Sequence, residues 1–498
     1  MNLINKTFVT ITDKIKGDSL KARSARGAAT LGIGTVAERG LRFVRNMILA
    51  RLLAPEQFGL MAIVMAASMA LEAFTDVGVK QSVIHNKKGD KAEYLNVAWW
   101  FQAVRGLGLF VVAYISAPWI SHFYESAKLL PLMRFAFVAI LFNGLISPRV
   151  HVLEKKIQFG KWVFLYQGSG LVGTLVSLGL AFFVMRNVWA LVIGFVAEAM
   201  LRCLLSFVLC PFLPKLTIDR DNLSEVLKYA KRMLGIPILA VIAFQLDVLV
   251  LGKVVPAERV GMYWLGLQLA LQMNFLFSKV IYPILLPVFA EKQDDNESVC
   301  RAIMKVTIYA AVLGIPITTF LVVCAGSVLS VVYGPEYGAV AIPFGLLCVY
   351  ALVGMQGSPL VQTYFAIGKP HLHRRFVVLR LAILAILIYP GAVLFGLTGA
   401  AAVVLLANCI GLCMQVIWMK KPIGLRFGEY ARCWIPGLGL ATIVLAPVAL
   451  LKAFGNQTLV LNIVVGGLAC SAACVIGLIL LWRRGETHIV SLERPEIG

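Results

Sequence analysis

The chain has 498 residues, 60% of them hydrophobic and only 14% charged, with a mean hydropathy of +0.85. Soluble domains carry roughly 45–50% apolar and about 25% charged residues, so a soluble enzyme, a nucleic-acid-binding protein and a disordered scaffold are excluded as classes. Lys and Arg total 46 against 25 Asp and Glu, a formal charge of +21, and the meaning of that excess depends on where the charges sit.

A membrane-spanning helix needs about 20 mostly apolar residues. Fourteen such stretches follow one another at 28–51, 57–84, 93–118, 129–148, 160–184, 188–210, 233–255, 260–289, 303–332, 338–367, 376–395, 397–419, 431–453 and 459–482. The first is the least apolar and the eighth and ninth are overlong, which leaves twelve spans as the alternative. Residues 1–26 are polar and basic with no short apolar core before a cleavage site, so the first span is expected to stay as an anchor. The predicted fold class is an all-α polytopic membrane protein. It divides into a cytoplasmic N-terminal segment (1–27), an N-lobe of six spans (28–230), a C-lobe of six (231–420), and two further spans with a cytoplasmic tail (421–498).

The connections locate the charge. Assigning the N-terminus and every even-numbered connection to one side places 31 Lys and Arg there and six on the other. The positive-inside rule then puts both termini in the cytoplasm, and most of the +21 reports topology, with no nucleic-acid partner needed. The same cations suit contact with anionic membrane lipids. The ten cysteines lie in or beside the spans and read as small packing residues. The histidines show no metal-ligand spacing, and no metal or cofactor site is expected.

Nine cations remain inside the spans (Arg39, Arg42, Arg45, Lys80, Arg105, Arg134, Arg202, Lys279, Arg380), with five acids (Glu38, Glu72, Asp76, Glu198, Asp247). A lipid-facing charge at mid-depth costs about 2.5–3.5 kcal/mol even on the mildest scale, so these groups must pair, snorkel or line a wet cavity. Glu198 and Arg202 are four apart and pair on one face. Glu38, Arg42 and Arg45 share a face of the first span, with Arg39 beside it. Glu72, Asp76 and Lys80 share a face of the second. Two such stripes read either as the wall of a hydrated cavity or as a self-neutralising seam. The surplus of cations favours a cavity for an anionic passenger, with Arg39, Arg42, Arg45, Arg105, Arg134 and Arg380 as its candidate ligands. Glu38, Glu72, Asp76 and Asp247 are the candidate ion-coupling or structural acids.

The stretch MILARLLAPEQFGLM (47–61) is echoed around VLVLGKVVPAERVGM (248–262), where an offset of 202 sets Arg51 on Lys253, Glu56 on Glu258, Gly59 on Gly261 and Arg45 on Asp247. Repeated halves with a site near mid-membrane are a mark of alternating-access transporters.

The sequences ILARLLAPEQFGLMAIV, FTDVGVKQSVI, IYPILLPVFAEKQDD (281–295) and LLCVYALVGMQGSPLVQTYFAIGKP (346–370) resemble polysaccharide transporters of the Wzx type, in the multidrug/oligosaccharidyl-lipid/polysaccharide exporter superfamily. The resemblance runs from about residue 30 to 420. It implies a flippase for undecaprenyl-pyrophosphate-linked oligosaccharides in the bacterial inner membrane, with two six-helix lobes around a central cavity. Its implied partners are the anionic lipid-linked substrate and a polysaccharide polymerase or co-polymerase. The first span, AERGLRFVRNMILARLL, is also similar to the first helix of the lipid II flippases, in which arginines aligning with Arg39 and Arg45 serve the pyrophosphate. Where those relatives carry another arginine on the second helix, this chain has Leu71 and Glu72.

No GxxxxGK[ST] loop is present, so transport is expected to run downhill or on an ion gradient. Two alternatives compete. A multidrug or cation exporter of the same superfamily wants an acidic cavity, the opposite of the surplus here. A membrane-embedded polymerase or ligase wants a long outer loop with paired catalytic groups, and the outer connections are about a dozen residues at most.

Overall fold

A computed structural model describes residues 20–73, 79–156, 158–215, 219–233, 236–291, 296–367, 369–453 and 458–489. In chain order the helices are α1 (Leu20–Leu52), α2 (Pro55–Ala73), α3 (Val79–His85), α4 (Ala92–Phe123), α5 (Leu129–Ala136), α6 (Val138–Gly144), α7 (Arg149–Lys155), α8 (Phe159–Phe183), α9 (Val188–Leu209) and α10 (Arg220–Met233). They continue as α11 (Ile236–Val254), α12 (Ala257–Glu291), α13 (Asn296–Val323), α14 (Ala325–Val332), a 3-10 turn (Pro335–Val340), α15 (Ala341–Ala366), α16 (Pro370–Ile423), α17 (Phe427–Arg432), α18 (Ile435–Ala453) and α19 (Leu459–Ile489). The described residues contain no strand. Among the described residues, nine helices are long and apolar enough to cross a membrane, or ten if a bent pair counts as one span. The protein is therefore an all-helical, multi-pass membrane protein.

Within the described residues, the predicted apolar stretches fall mainly on helices. The exceptions to simple rods have local causes. Stretches eleven and twelve form the single element α16, broken at Gly396, whose φ of +56° no side-chain-bearing residue adopts easily. A Cβ on Gly399 would stand 1.9 Å from the Gly391 carbonyl oxygen, so the chain doubles back on itself there. The fourth stretch breaks after Gly144, and α7 leaves the α5–α6 axis at 62°. α1 begins eight residues before the predicted boundary, because its polar first turns carry no hydropathy signal.

Helix ends follow the usual chemistry. Pro55 opens α2 with Glu56 in its first turn. The Asn187 side chain accepts from Trp189 N at 3.0 Å and caps α9. Gly424, at φ +75°, ends α16 in the left-handed conformation.

Contacts divide the chain into two compact units, Met1–Gly261 and Met262–Gly498. Within the first unit, α8 and α9 close on glycines. A Cβ on Gly173 would stand 2.8 Å from Gly194 O, and one on Gly194 1.8 Å from Ser177 Oγ. Small residues at such crossings let backbones approach where no hydrophobic force drives helices together. The same unit contains the two turns of the repeat, around Pro55 and Ala257, and their packing is reciprocal. A Cβ on Gly59 would stand 1.7 Å from Ala257 O, and one on Gly261 2.0 Å from Pro55 O. Pro55 and Ala257 are themselves 202 residues apart, so each glycine meets the repeat partner of the residue its own counterpart meets. A two-fold relation generates this self-complementary pattern. Within the second unit, α13 packs on α15, α18 and α19, and α15 on α16.

Candidate functional site

The break after Gly144 positions a polar cavity. A broken span frees backbone carbonyls that lipid cannot satisfy, so irregular backbone at membrane depth must be buried in protein or line a cavity. Gln102 of α4 answers most of the need. Its Nε2 donates to the carbonyl oxygens of Asn143, Gly144 and Ile146 at 3.2, 3.2 and 3.3 Å. Trp99 Nε1 donates to Leu145 O at 3.2 Å, and Ser147 N donates to Ser206 Oγ at 2.9 Å. Gly106 and Gly144 let α4 and α6 touch, since a Cβ on Gly106 would stand 2.7 Å from Gly144 Cα.

The resulting cavity, about 460 Å³, lies wholly within the first unit and draws on α2, α3, α4, α6, α7, α8, α9 and α11. Its charged lining is Lys80, Arg105 and Arg202 against Glu72 and Glu154, with His151 beside them. The acids are already engaged. Lys80 Nζ pairs with Glu154 Oε2 at 2.8 Å, and Trp162 Nε1 donates to Glu154 Oε1 at 2.9 Å. Asn143 Nδ2 donates to Glu72 Oε1 at 2.8 Å. The Arg105 guanidinium lies over the Phe101 ring, 5.5 Å from its centroid.

One side of the cavity belongs to a longer column. The Trp162 and Tyr166 rings pack 4.5 Å apart, and the Arg202 guanidinium covers the Tyr166 ring at 5.2 Å. Arg202 also donates to Glu198, one helical turn away. The same Glu198 oxygen accepts from Arg42 Nη2 of α1 at 2.8 Å, and Arg42 Nε pairs with Glu38 at 2.5 Å. Lys80, Glu154, Trp162, Tyr166, Arg202, Glu198, Arg42 and Glu38 thus form a continuous chain through α3, α7, α8, α9 and α1. The close approach of α1 to α8 shapes this path, because a Cβ on Gly170 would stand 3.0 Å from Arg42 Nη2.

The candidate residues separate accordingly. Arg105 and Glu72 line the cavity. Glu38 and Arg42 join it through Glu198 and Arg202. Arg39 lies exposed on α1. Arg45 donates to Asn46 Oδ1 from Nε at 3.2 Å and from Nη2 at 3.1 Å. Arg134 sits over the Tyr114 ring at 4.7 Å. Asp247 is buried on α11 and accepts from Val248 N at 2.9 Å. Arg380 belongs to the second unit, where it is buried, donates to Tyr350 Oη at 3.1 Å and lies 5.7 Å from the same ring's centroid. Asp76 lies outside the described residues. Sequence reasoning missed Gln102, Asn143, His151, Glu154, Trp162 and Tyr166. The available signal for Asn143 and His151 was the interruption Asn143-Gly144 inside the fourth apolar stretch. No group of three or more His, Cys, Asp or Glu side chains among the described residues is arranged to hold a metal ion.

Comparison with known proteins agrees with this architecture. The chain is 24% identical over 440 residues to the lipopolysaccharide biosynthesis protein WzxC of Escherichia coli K12, covering 86% of this chain and 88% of that one. Its fold is similar to that of the lipid II flippase MurJ in an inward closed conformation, with a TM-score of 0.73, 14% identity, and coverage of 91% of this chain and 98% of that one. It is also similar to an inward-facing multidrug resistance MATE family transporter of the MOP superfamily, with a TM-score of 0.61, 14% identity, and coverage of 79% and 96%. The family model for polysaccharide biosynthesis proteins matches residues 48–342, more than half of the chain. The chain therefore belongs to the polysaccharide biosynthesis protein family, built on the fold of the MOP superfamily transporters.

Proposed function

We propose that the protein is a flippase that carries lipid-linked oligosaccharide units from the cytoplasmic to the periplasmic leaflet of the bacterial inner membrane. The cavity of the first unit receives the anionic headgroup. Undecaprenyl pyrophosphate is the carrier lipid, and both termini lie in the cytoplasm. The relatives' roles in lipopolysaccharide biosynthesis and lipid II flipping support the substrate class. The carrying observation is the cavity itself, with Lys80, Arg105 and Arg202 converging while both acids are engaged by neighbouring side chains.

The physics favours this use. A pyrophosphate brings two or more negative charges into a low-dielectric region, where its transfer from water is costly without cationic partners. Arginine supplies permanently charged, bidentate contacts to phosphate oxygens. Arg202 is pre-positioned by Glu198 and the Tyr166 ring, so less side-chain entropy is lost when an anion arrives. The long lipid tail stays in the bilayer and needs no polar path. Such a protein moves its passenger without changing a covalent bond, and no enzymatic role is proposed.

The test is deletion of the gene followed by analysis of lipid-linked intermediates. The expected result is loss of the surface polymer with accumulation of an undecaprenyl-linked repeat facing the cytoplasm. Complementation with R105Q or R202Q is expected to leave that block in place while the protein still reaches the membrane. Normal polymer and no intermediate in the deletion strain overturn the reading.

A further inference from the structure

The first unit carries a second, apolar groove of about 420 Å³ at the C-terminal end of α4. It is lined by Ala67, Ala70 and Leu71 of α2, Trp119 and Phe123 of α4, and Leu249 of α11. Leu71 lines this groove while its neighbour Glu72 lines the polar cavity, so α2 borders both. Small-ligand sites usually hold a few placed polar groups. Here the Tyr124 hydroxyl already donates to Leu249 O at 3.0 Å, which leaves a lining suited to hydrocarbon. Val104, Val111, Ile115, Trp119 and Phe123 recur at steps of four or seven residues and are all exposed, so they share one face of α4. In a membrane helix such a face meets lipid chains, and Trp119 and Phe123 carry it into the groove. Tryptophan and tyrosine are typical of the level where lipid headgroups begin. The groove's mouth is charged. Lys253 Nζ lies 5.4 Å from the Phe123 ring centroid and 2.6 Å from Glu125 Oε1. Glu125 holds a φ of +53°, a conformation that suits Gly or Asn better. Its side chain is 79% accessible, so the pair contributes little to folding.

We propose that the groove is a lipid site that takes one acyl chain of a zwitterionic phospholipid, phosphatidylethanolamine, with its headgroup on the Glu125–Lys253 pair. The phosphate meets the Lys253 ammonium, and the lipid's own ammonium meets the Glu125 carboxylate. The chain runs past Trp119 and Phe123 toward Ala67 and Ala70, whose small side chains make the room. An anionic headgroup would gain Lys253 but stand against Glu125, and a hydrocarbon without a headgroup would leave both charges unused. On the orientation proposed above, this end of α4 is periplasmic, so the lipid belongs to the outer leaflet. The ligand is a membrane lipid and the groove is separate from the polar cavity, so the site stands or falls independently of the flippase reading.

The experiment is native mass spectrometry of the purified full-length protein, released from detergent micelles after incubation with equimolar phosphatidylethanolamine and phosphatidylglycerol of the same acyl chains. The expected result is one retained phosphatidylethanolamine, favoured over phosphatidylglycerol by about fivefold, the modest selectivity that exposed charges provide. A70F, which fills the groove, is expected to abolish that retention. E125K, which makes the mouth wholly cationic, is expected to keep a bound lipid and reverse the preference toward phosphatidylglycerol. Monodisperse elution matching the wild type marks A70F as folded; if that is lost, W119A, which removes a wall of the groove at an exposed position, carries the same comparison. Equal retention of the two lipids by the wild type overturns the proposal, as does a preference unchanged in E125K. Retention that persists in A70F and W119A, or no retained lipid at all, also overturns it. A protein dimer that replaces the bound lipid and disappears in A70F assigns the groove to a second copy of the chain and overturns the lipid site.

Discussion

The two units meet a similar packing problem with different chemistry. The repeat offset sets Glu72 of α2 on Asn274 of α12. In the first unit, Glu72 stands in a cavity walled by guanidinium, ammonium and carboxylate groups. In the second, a Cβ on Gly354 would meet Asn274 Nδ2 at 3.3 Å and Asn408 Nδ2 at 3.5 Å, and Asn408 Nδ2 donates to Tyr350 O at 3.3 Å. Arg380 there rests against a phenol ring and its hydroxyl. Among the described contacts, amides and phenols surround Arg380 and Asn274, whereas ion pairs link the charges of the first unit. A duplicated helical scaffold thus constrains backbone approach and leaves the chemistry of the interior to side chains, in keeping with the rule that function resides in sites placed on folds.

The largest expected effect comes from cutting the ion network of the first unit. Glu198 is buried and accepts from Arg42 and Arg202. Removing one partner of a buried pair leaves uncompensated charge at a cost of about 3–5 kcal/mol. E198L should therefore lose stability in that range in equilibrium unfolding from detergent micelles, and the double variant E198L/R202L should recover part of it. A loss below about 1 kcal/mol in E198L would show that the network is effectively solvated, and the contrast between the units would collapse.

The next effect tests what the repeats share. G59A and G261A each place a methyl group against a backbone carbonyl oxygen. Overpacking of this kind typically costs about 1–3 kcal/mol, more where backbone must move. The two variants should be destabilised to a similar degree in the same unfolding assay. A large difference between them would break the two-fold equivalence of the hairpins.

That pair of glycines also marks a boundary of sequence reading. Their equivalence was visible in the offset of 202, but their mutual contact was not, because a sequence echo carries no distance. Periodicity gave the α1 pair Glu38–Arg42 and the α9 pair Glu198–Arg202, both of which form. It could not give the bond from Arg42 to Glu198, 156 residues away. The cavity was harder still. Hydropathy reads 129–148 as one stretch, and it is the break after Gly144 that brings Asn143 and His151 to the wall. Glu72 and Arg105 were identifiable as charges in apolar stretches, whereas Trp162 and Gln102 were indistinguishable from ordinary packing residues.

A smaller effect is expected in the second unit. Y350F removes the hydroxyl that accepts from Arg380 Nη2 and keeps the ring beneath the guanidinium. A hydrogen bond to a charged group contributes about 1.5–3 kcal/mol, and the retained cation–π contact holds the expected loss near the lower end. Unfolding of Y350F next to E198L measures the contrast directly. A phenol hydroxyl lost from beside Arg380 should cost less than a carboxylate lost from the ion network of the first unit.

The smallest effect is a pH dependence at an exposed corner of the first unit. Lys253 Nζ pairs with Glu125 Oε1 at 2.6 Å, and this hydrogen bond, reinforced by the ammonium charge, holds the Glu125 carboxyl below its ordinary range. A carboxyl depressed on folding contributes stability above its unfolded-state pKa and loses that contribution as pH falls through the folded value. The stability difference between wild type and E125Q should therefore grow with rising pH across the carboxylate range and level off above it. Because Glu125 is exposed, with 79% of its side chain accessible, the difference should be slight and should fade at high ionic strength. Glu198, buried among its arginines, should respond to salt far less. The ratio of the two salt sensitivities therefore separates the solvated ion pairs of this unit from those that form its interior.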